Sequence, residues 1–304
     1  MTQAIGQTTG ETIAVSDTTG AEAGGRLWPA ALTLWKREMV RFFRQKNRVV
    51  SALVTPVLLW IGLGAGLDRA FIQGGAEVVQ REAASGLEAV AATSGGGGGV
   101  GYMAYFFPGT LSMILLFTAI FSTISVIEDR REGFLQGVLV APIPRLSIVL
   151  GKVLGGSSIA MIQALVFMLL WPLVGSVPGF GAALAAVCVL ALLSIAMTAM
   201  GLCIAWPMDS TAAFHAVMML FLMPMWFLCG AVFPVSTAMP WLRVLMWVNP
   251  LTYGQAVLSR SLLGYDAVQT GLHLSLDILL MLLFTAGVMA LAVRMVGKPR
   301  KDGV

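Results

Sequence analysis

Long apolar runs alternate with short polar segments along the whole chain. Six of them, Val49–Leu67, Phe106–Ile127, Ser147–Val174, Gly181–Trp206, Thr211–Phe233 and Leu274–Val296, have the length of a membrane crossing. A hydrocarbon layer of about 30 Å takes about 20 helical residues at about 1.5 Å each. Six transmembrane helices are therefore expected. A seventh stretch, Trp241–Gly264, breaks the pattern with Arg243, Asn249-Pro250 and Arg260. It predicts two short helices, broken at Asn249-Pro250, that dip into the outer leaflet without crossing. Such backbone is tolerated at that depth only when packed on protein.

Composition supports an all-α integral membrane protein. Of 304 residues, 58% are hydrophobic and 11% charged, against about 25% charged in a soluble domain. The 19 Lys and Arg residues are unevenly placed. Arg26, Lys36, Arg37, Arg41, Arg44, Lys46 and Arg48 precede the first span. Arg130, Arg131, Arg145 and Lys152 lie between the second span and the foot of the third. Arg294, Lys298, Arg300 and Lys301 lie at the end of the last span or beyond it. Only Arg69, Arg81, Arg243 and Arg260 fall on the other side, so the positive-inside rule puts both termini in the cytoplasm. Residues 1–25, rich in Thr, Ala and Gly, read as a disordered cytoplasmic tail ahead of a transmembrane domain over 26–304. The loop from Asp68 to Tyr105, with its SGGGGGVG, reads as a flexible hinge.

Between tail and first span, Leu32, Trp35, Met39, Phe42 and Phe43 recur at helical spacing, and Arg37, Arg41, Arg44 and Arg48 recur on another face. This predicts an amphipathic interfacial helix on the inner membrane surface, with its cations toward lipid headgroups.

Catalytic patterns are missing from the sequence. There is no G-x-x-x-x-G-K-[ST] loop to cradle a nucleotide, because Leu146 stands where the first Gly of "GKVLGG" would be needed. Gly151 and Gly155 instead form a G-x-x-x-G, a candidate helix-packing notch. His215 and His273 are far apart in sequence, and Cys188, Cys203 and Cys229 read as small buried hydrophobes. Glu128, Lys152, Asp209 and Asp277 fall at or near span ends, which leaves the span centres uncharged. An ion-coupled transporter would place a carboxylate near the midplane. If the protein transports, its energy is therefore expected to come from a partner.

The stretch EDRREGFLQGVLVAPIPR, Glu128 to Arg145, lies in the predicted cytoplasmic loop between spans two and three. Glu128, Asp129, Arg130, Arg131 and Glu132 form a mixed-charge patch. Phe134, Leu135, Val138 and Leu139 follow at helical spacing until Pro142 and Pro144 stop them. A short helix with charges at one end and an apolar face suits docking of a soluble partner.

This stretch resembles the ERExGT-L…P…GK segment of ABC-2 type (type 2 ABC exporter) permeases. Leu228 to Arg260, LCGAVFPVSTAMPWLRVLMWVNPLTYGQAVLSR, resembles the same family's G-x-x-F-P…P…NPLTY segment. The likeness runs from Leu27 to about Val296 and is nearest the drug- and nodulation-factor-exporter branch. The family's Glu-Arg-Glu is here Glu128-Asp129-Arg130-Arg131-Glu132, and its Gly-Thr is Gly133-Phe134.

The resemblance implies a multi-pass permease of the bacterial inner membrane, working as a homodimer with two copies of a separate ABC ATPase subunit. ATP and Mg would sit on that subunit, and this chain would hold no cofactor and bind no nucleic acid. It implies that Glu128–Gly133, followed by Phe134, is the ATPase-coupling helix. Trp35, Arg37, Arg41, Phe42 and Arg44 would belong to the interfacial helix beside it. Pro234, Pro240, Asn249 and Pro250 would shape an outer gate. Met219, Phe221, Met223 and Met225 in span five suit a path for variable apolar cargo. Two other readings remain open: polysaccharide or glycolipid export on the same scaffold, and a membrane scaffold that transports nothing.

Overall fold

The computed structural model describes residues 19–44, 53–67, 101–141, 143–174 and 179–297. Among these every regular element is helical. In chain order they are α1 Thr19–Arg44, α2 Leu53–Leu67, α3 Tyr102–Ser122, α4 Ile124–Arg131 and α5 Phe134–Val140. Then follow α6 Arg145–Met168, α7 Phe180–Ala205, α8 Thr211–Trp226, α9 Pro240–Val248, α10 Pro250–Leu263 and α11 Leu274–Gly297. Helices suit a lipid surround because each backbone group finds its partner within the segment.

Among the described residues five stretches are long and apolar enough to cross a membrane: Tyr102–Arg131, Arg145–Leu173, Phe180–Ala205, Thr211–Ala231 and Leu274–Gly297. They coincide with spans two to six of the sequence reading. Of the first expected span, Val49–Leu67, the shorter apolar helix α2 is described, and positions 49–52 lie outside the described residues. So do 1–18, the outer loop over 68–100, Pro142 and the last residues from 298. The expected tail needs correcting at its end: α1 already begins at Thr19, inside the stretch read as disordered. Once a helix is nucleated, each added residue gains a hydrogen bond, so an Ala- and Gly-containing lead can be drawn in.

α3 is the central helix, with nearly every side chain from Tyr102 to Ile120 buried. It packs against α6, α7 and α10, and α11 closes the far side of α7. Small residues permit the close approach at the centre: a Cβ on Gly156 would fall 2.2 Å from Ser122 Oγ and 2.6 Å from Thr198 Cγ2. Two polar pairs also bind α3 to its neighbours, Thr118 to Gln163 of α6 and Ser112 to Gln255 of α10. Toward the other end, Trp60 of α2 sits edge-on to Phe107 and Phe167 at 5.5 and 5.6 Å, and its indole donates to Met103 O at 3.0 Å. Of the cysteines, Cys229 is buried and Cys203 partly so, but Cys188 is exposed on α7. The reading of all three as core is corrected there: an apolar helix at the bundle surface can leave a small side chain to lipid.

Candidate functional site

Most of the described charged residues gather at one end of the bundle, where α1 lies along the first half of α6. The two glycines one turn apart make the seat. A Cβ on Gly151 would lie 2.6 Å from Leu34 Cβ, and one on Gly155 would lie 2.8 Å from Glu38 Cβ. Trp35 Nε1 adds a hydrogen bond to Ser158 Oγ at 3.0 Å. α1 has three faces rather than two. Ala31, Leu34, Glu38 and Phe42 are buried, Trp28, Leu32 and Phe43 are exposed apolar residues, and Arg37, Arg41 and Arg44 make the basic edge. Phe42, expected on the lipid face, belongs to the packed one.

From that helix Arg37 donates to both carboxylate oxygens of Asp129, at 2.6 and 2.9 Å. Arg41 donates to Asp129 at 2.9 Å and to Glu128 at 2.7 Å. From α6, Lys152 Nζ donates to Glu38 at 2.5 Å, to Ser125 Oγ at 3.1 Å and to Asp129. Asp129 is wholly buried, and Glu38 and Lys152 nearly so. Each buried charge has opposite charges within hydrogen-bond reach, and the three Lys152 N–H groups all find acceptors, which offsets the cost of taking these groups out of water. The hydrogen bonds to Asp129 also hold the Arg37 guanidinium above its ordinary pKa, against the opposing effect of burial.

Three further cations of this end hold backbone carbonyls at or near helix ends. Arg130 donates to Trp206 O and Met208 O, both at 2.7 Å, and pairs with Asp209 at 3.0 Å. Arg131 Nε reaches Asp209 O at 3.0 Å. Arg145 donates to Val296 O and Gly297 O at 3.2 and 3.0 Å. The Trp206, Val296 and Gly297 carbonyls lie at helix C-termini, where they lack intrahelical partners and carry negative partial charge, and those of Met208 and Asp209 lie in the turn between α7 and α8.

Two expectations for this stretch are corrected. Glu128–Gly133 is not one coupling helix. Glu128 to Arg131 complete α4, which continues span two beyond a break at Thr123, and Glu132 and Gly133 form a turn. Gly133 takes φ +77°, a left-handed conformation that glycine adopts without a Cβ clash. Nor is the mixed-charge run an open docking patch, since Asp129 is interior and Arg130 faces the end of α7. The free-standing element is α5. Leu135 anchors it in the core, and Phe134 lies under the Arg37 guanidinium, 3.7 Å from its carbon. Leu139 and Val140 point outward, Val140 with 87% of its surface exposed.

At the opposite end, α9 and α10 meet at Asn249, as the sequence indicates. Asn249 Oδ1 accepts from Leu251 N at 3.1 Å, and its Nδ2 donates to Met225 O at 2.6 Å, so the corner is tied to α8. Pro240 and Pro250 each occupy the first turn of their helix, where a missing N–H costs nothing, and Pro234 precedes a short 3-10 turn. Arg260 joins the pair to α11 by an ion pair to the buried Asp277 at 2.5 Å, and holds the intervening loop by one to Asp266 at 2.7 Å. Met219, Phe221 and Met223 lie on the exposed surface of α8, and Met225 is partly buried. They do not converge on a cavity within one chain.

Glu38 escaped the sequence reading. The signal was present: it is the one acidic residue of an otherwise basic segment, and it falls one turn from Leu34 on the face that packs.

A helical bundle with several membrane-length helices, a densely charged end and a short helix projecting from it defines a multi-pass membrane protein. Residues 29–263 match the ABC-2 type transporter family, and the chain belongs to that family. A Cyanophora paradoxa protein named as a transport permease, ycf38, is 27% identical over 222 residues, 72% of this chain and 69% of the relative. An Escherichia coli K12 protein named as a multidrug ABC transporter permease, YbhR, is 25% identical over 153 residues, 50% of this chain and 42% of the relative. The chain is thus a transporter permease subunit, of a family that pairs with an ABC ATPase subunit.

Proposed function

We propose that this chain is the membrane half of an ATP-driven exporter in a bacterial inner membrane. It crosses six times, with α2 in the first crossing and both termini cytoplasmic. Two copies pair and dock two ATPase subunits, which bind ATP and Mg. The cargo is amphipathic, drug-like or lipid-like, and is taken from the cytoplasm or inner leaflet. The multidrug name of the Escherichia coli relative supports that class. Met219 and Met223, one turn apart on the exposed side of α8, suit a path formed against a second copy, with Phe221 exposed on the other flank of the same helix.

The observation that carries this reading is α5. It stands out from the charged end with Leu139 and Val140 exposed, and Phe134 and Leu135 fix it to α1 and the core. A helix so attached can pass a push from a soluble motor into both α1 and span two, while Glu128, Arg131 and Glu132 remain at the rim for polar contacts. Co-expression with candidate ATPase subunits tests it. Leu139→Asp with Val140→Asp should abolish ATPase co-purification and export while leaving permease yield unchanged. A double variant that retains its ATPase and exports normally refutes the assignment.

A further inference from the structure

The basic edge of α1 lines a surface that the docking helix leaves unused. Thr33, Lys36, Arg37, Val40, Arg41 and Arg44, together with Glu132, border an open groove of about 670 Å³. Four cations there face one carboxylate. Arg37 and Arg41 are committed to Asp129 and Glu128. Lys36 and Arg44 have no ion-pair partner among the described residues. They lie two helical turns apart, about 12 Å along the axis at about 1.5 Å per residue, on either side of Val40. Long side chains can close on one anion from both directions across that distance.

The position of the groove around the helix says what the anion belongs to. At about 100° per residue, Lys36 and Val40 fall between the exposed stripe Trp28, Leu32 and Phe43 and the Arg37–Arg41 edge. That stripe is about half exposed and needs an apolar surround. The groove therefore opens directly beside acyl chains, at headgroup level. An acidic protein surface would satisfy the cations but would leave the adjoining stripe unexplained.

We propose that this groove binds the phosphate of an anionic phospholipid. Lys36 and Arg44 hold the headgroup, and the acyl chains run along Trp28, Leu32 and Phe43. This rests on the reading of α1 as an interfacial helix at the cytoplasmic membrane surface. The bound lipid would brace α1 at the base of the Arg37–Asp129–Lys152 cluster, so leaflet charge would tune the stiffness of the docking end.

The test uses the full-length permease in mixed micelles of phosphatidylglycerol or phosphatidylcholine, with retained lipid counted by native mass spectrometry. The wild type should retain phosphatidylglycerol in preference to phosphatidylcholine. Lys36→Gln with Arg44→Gln should lower that retention on the order of tenfold, and Lys36→Arg with Arg44→Lys should restore it. ATPase co-purification, scored on the same samples, reports on α5 separately, so failure of one reading is distinguishable from failure of the other. Equal phosphatidylglycerol retention by the wild type and the neutral variant overturns the proposal. Displacement by millimolar inorganic phosphate with no gain from acyl chains assigns the groove to free phosphate and overturns it too. Loss of the lipid whenever the ATPase subunit is bound assigns the groove to the protein partner, and has the same consequence.

Discussion

Lys152 Nζ and Glu38 Oε1 stand 2.5 Å apart and almost wholly buried, one on the membrane-length helix α6 and the other on α1, which precedes the membrane-length helices. With Asp129 as the shared neighbour, this contact makes α1, α4 and α6 a single unit at the charged end of the bundle. Any motion imposed on one of the three helices is transmitted to the other two, because separating them would strand ionised groups in a nonpolar interior.

Removing one partner should therefore be severe. Lys152→Met leaves Glu38 and Asp129 short of a cation and should destabilise the permease by about 3–5 kcal/mol, the usual range for breaking a buried ion pair. Lys152→Met with Glu38→Gln should recover part of that loss. Thermal unfolding in detergent measures both. A single variant that unfolds with the wild type would show that the pair contributes nothing.

The glycine seat makes a steric prediction. Gly151→Val puts new atoms against Leu34, where even a Cβ lies at 2.6 Å, and overpacking of that kind costs about 1–3 kcal/mol. Gly137→Ala, on α5 with no atom within 4 Å of the added Cβ, should stay within about 0.5 kcal/mol of wild type. Equal thermal stabilities for the two variants would show that α1 is not seated on Gly151.

At the other end, Arg260 is held by two carboxylates and a carbonyl, Asp266, Asp277 and Leu272 O. Arg260→Lys keeps the charge but loses the planar fork that reaches all three, so it should behave nearly as badly as Arg260→Ala. Arg260→Ala with Asp277→Asn should unfold at higher temperature than Arg260→Ala alone, because the uncompensated carboxylate is gone. A fully wild-type Arg260→Lys would mean that charge alone matters there.

Sidedness can be read chemically. In a background with Cys188, Cys203 and Cys229 replaced, Thr237→Cys should react with an impermeant maleimide in intact cells. Gln136→Cys on α5 should react only after permeabilisation, since both positions are exposed at opposite ends of the bundle. Labelling of both from the same side would invert or break the six-crossing arrangement.

Much of this architecture follows from the order of residues alone. Spans two to six are legible because lipid admits only a long apolar helix, a constraint local to each segment and independent of its neighbours. The break at Asn249-Pro250 is legible for the same kind of reason: proline restricts the residue before it wherever the chain goes. Charge pairing is a different matter. Asp129 looks like part of a solvated run beside Glu128 and Arg130, and nothing in its neighbours says that it turns inward while Arg130 turns to the end of α7. That choice depends on Arg37, Arg41 and Lys152, which lie 92, 88 and 23 positions away. Gly151 and Gly155 are legible as a packing notch, but their partner is not, because a missing Cβ says what it seats only once Leu34 is pressed against it. Membrane insertion is decided residue by residue along the chain. Which charges are buried, and against what, is decided when α1 settles on α6, and only the tertiary structure contains that contact.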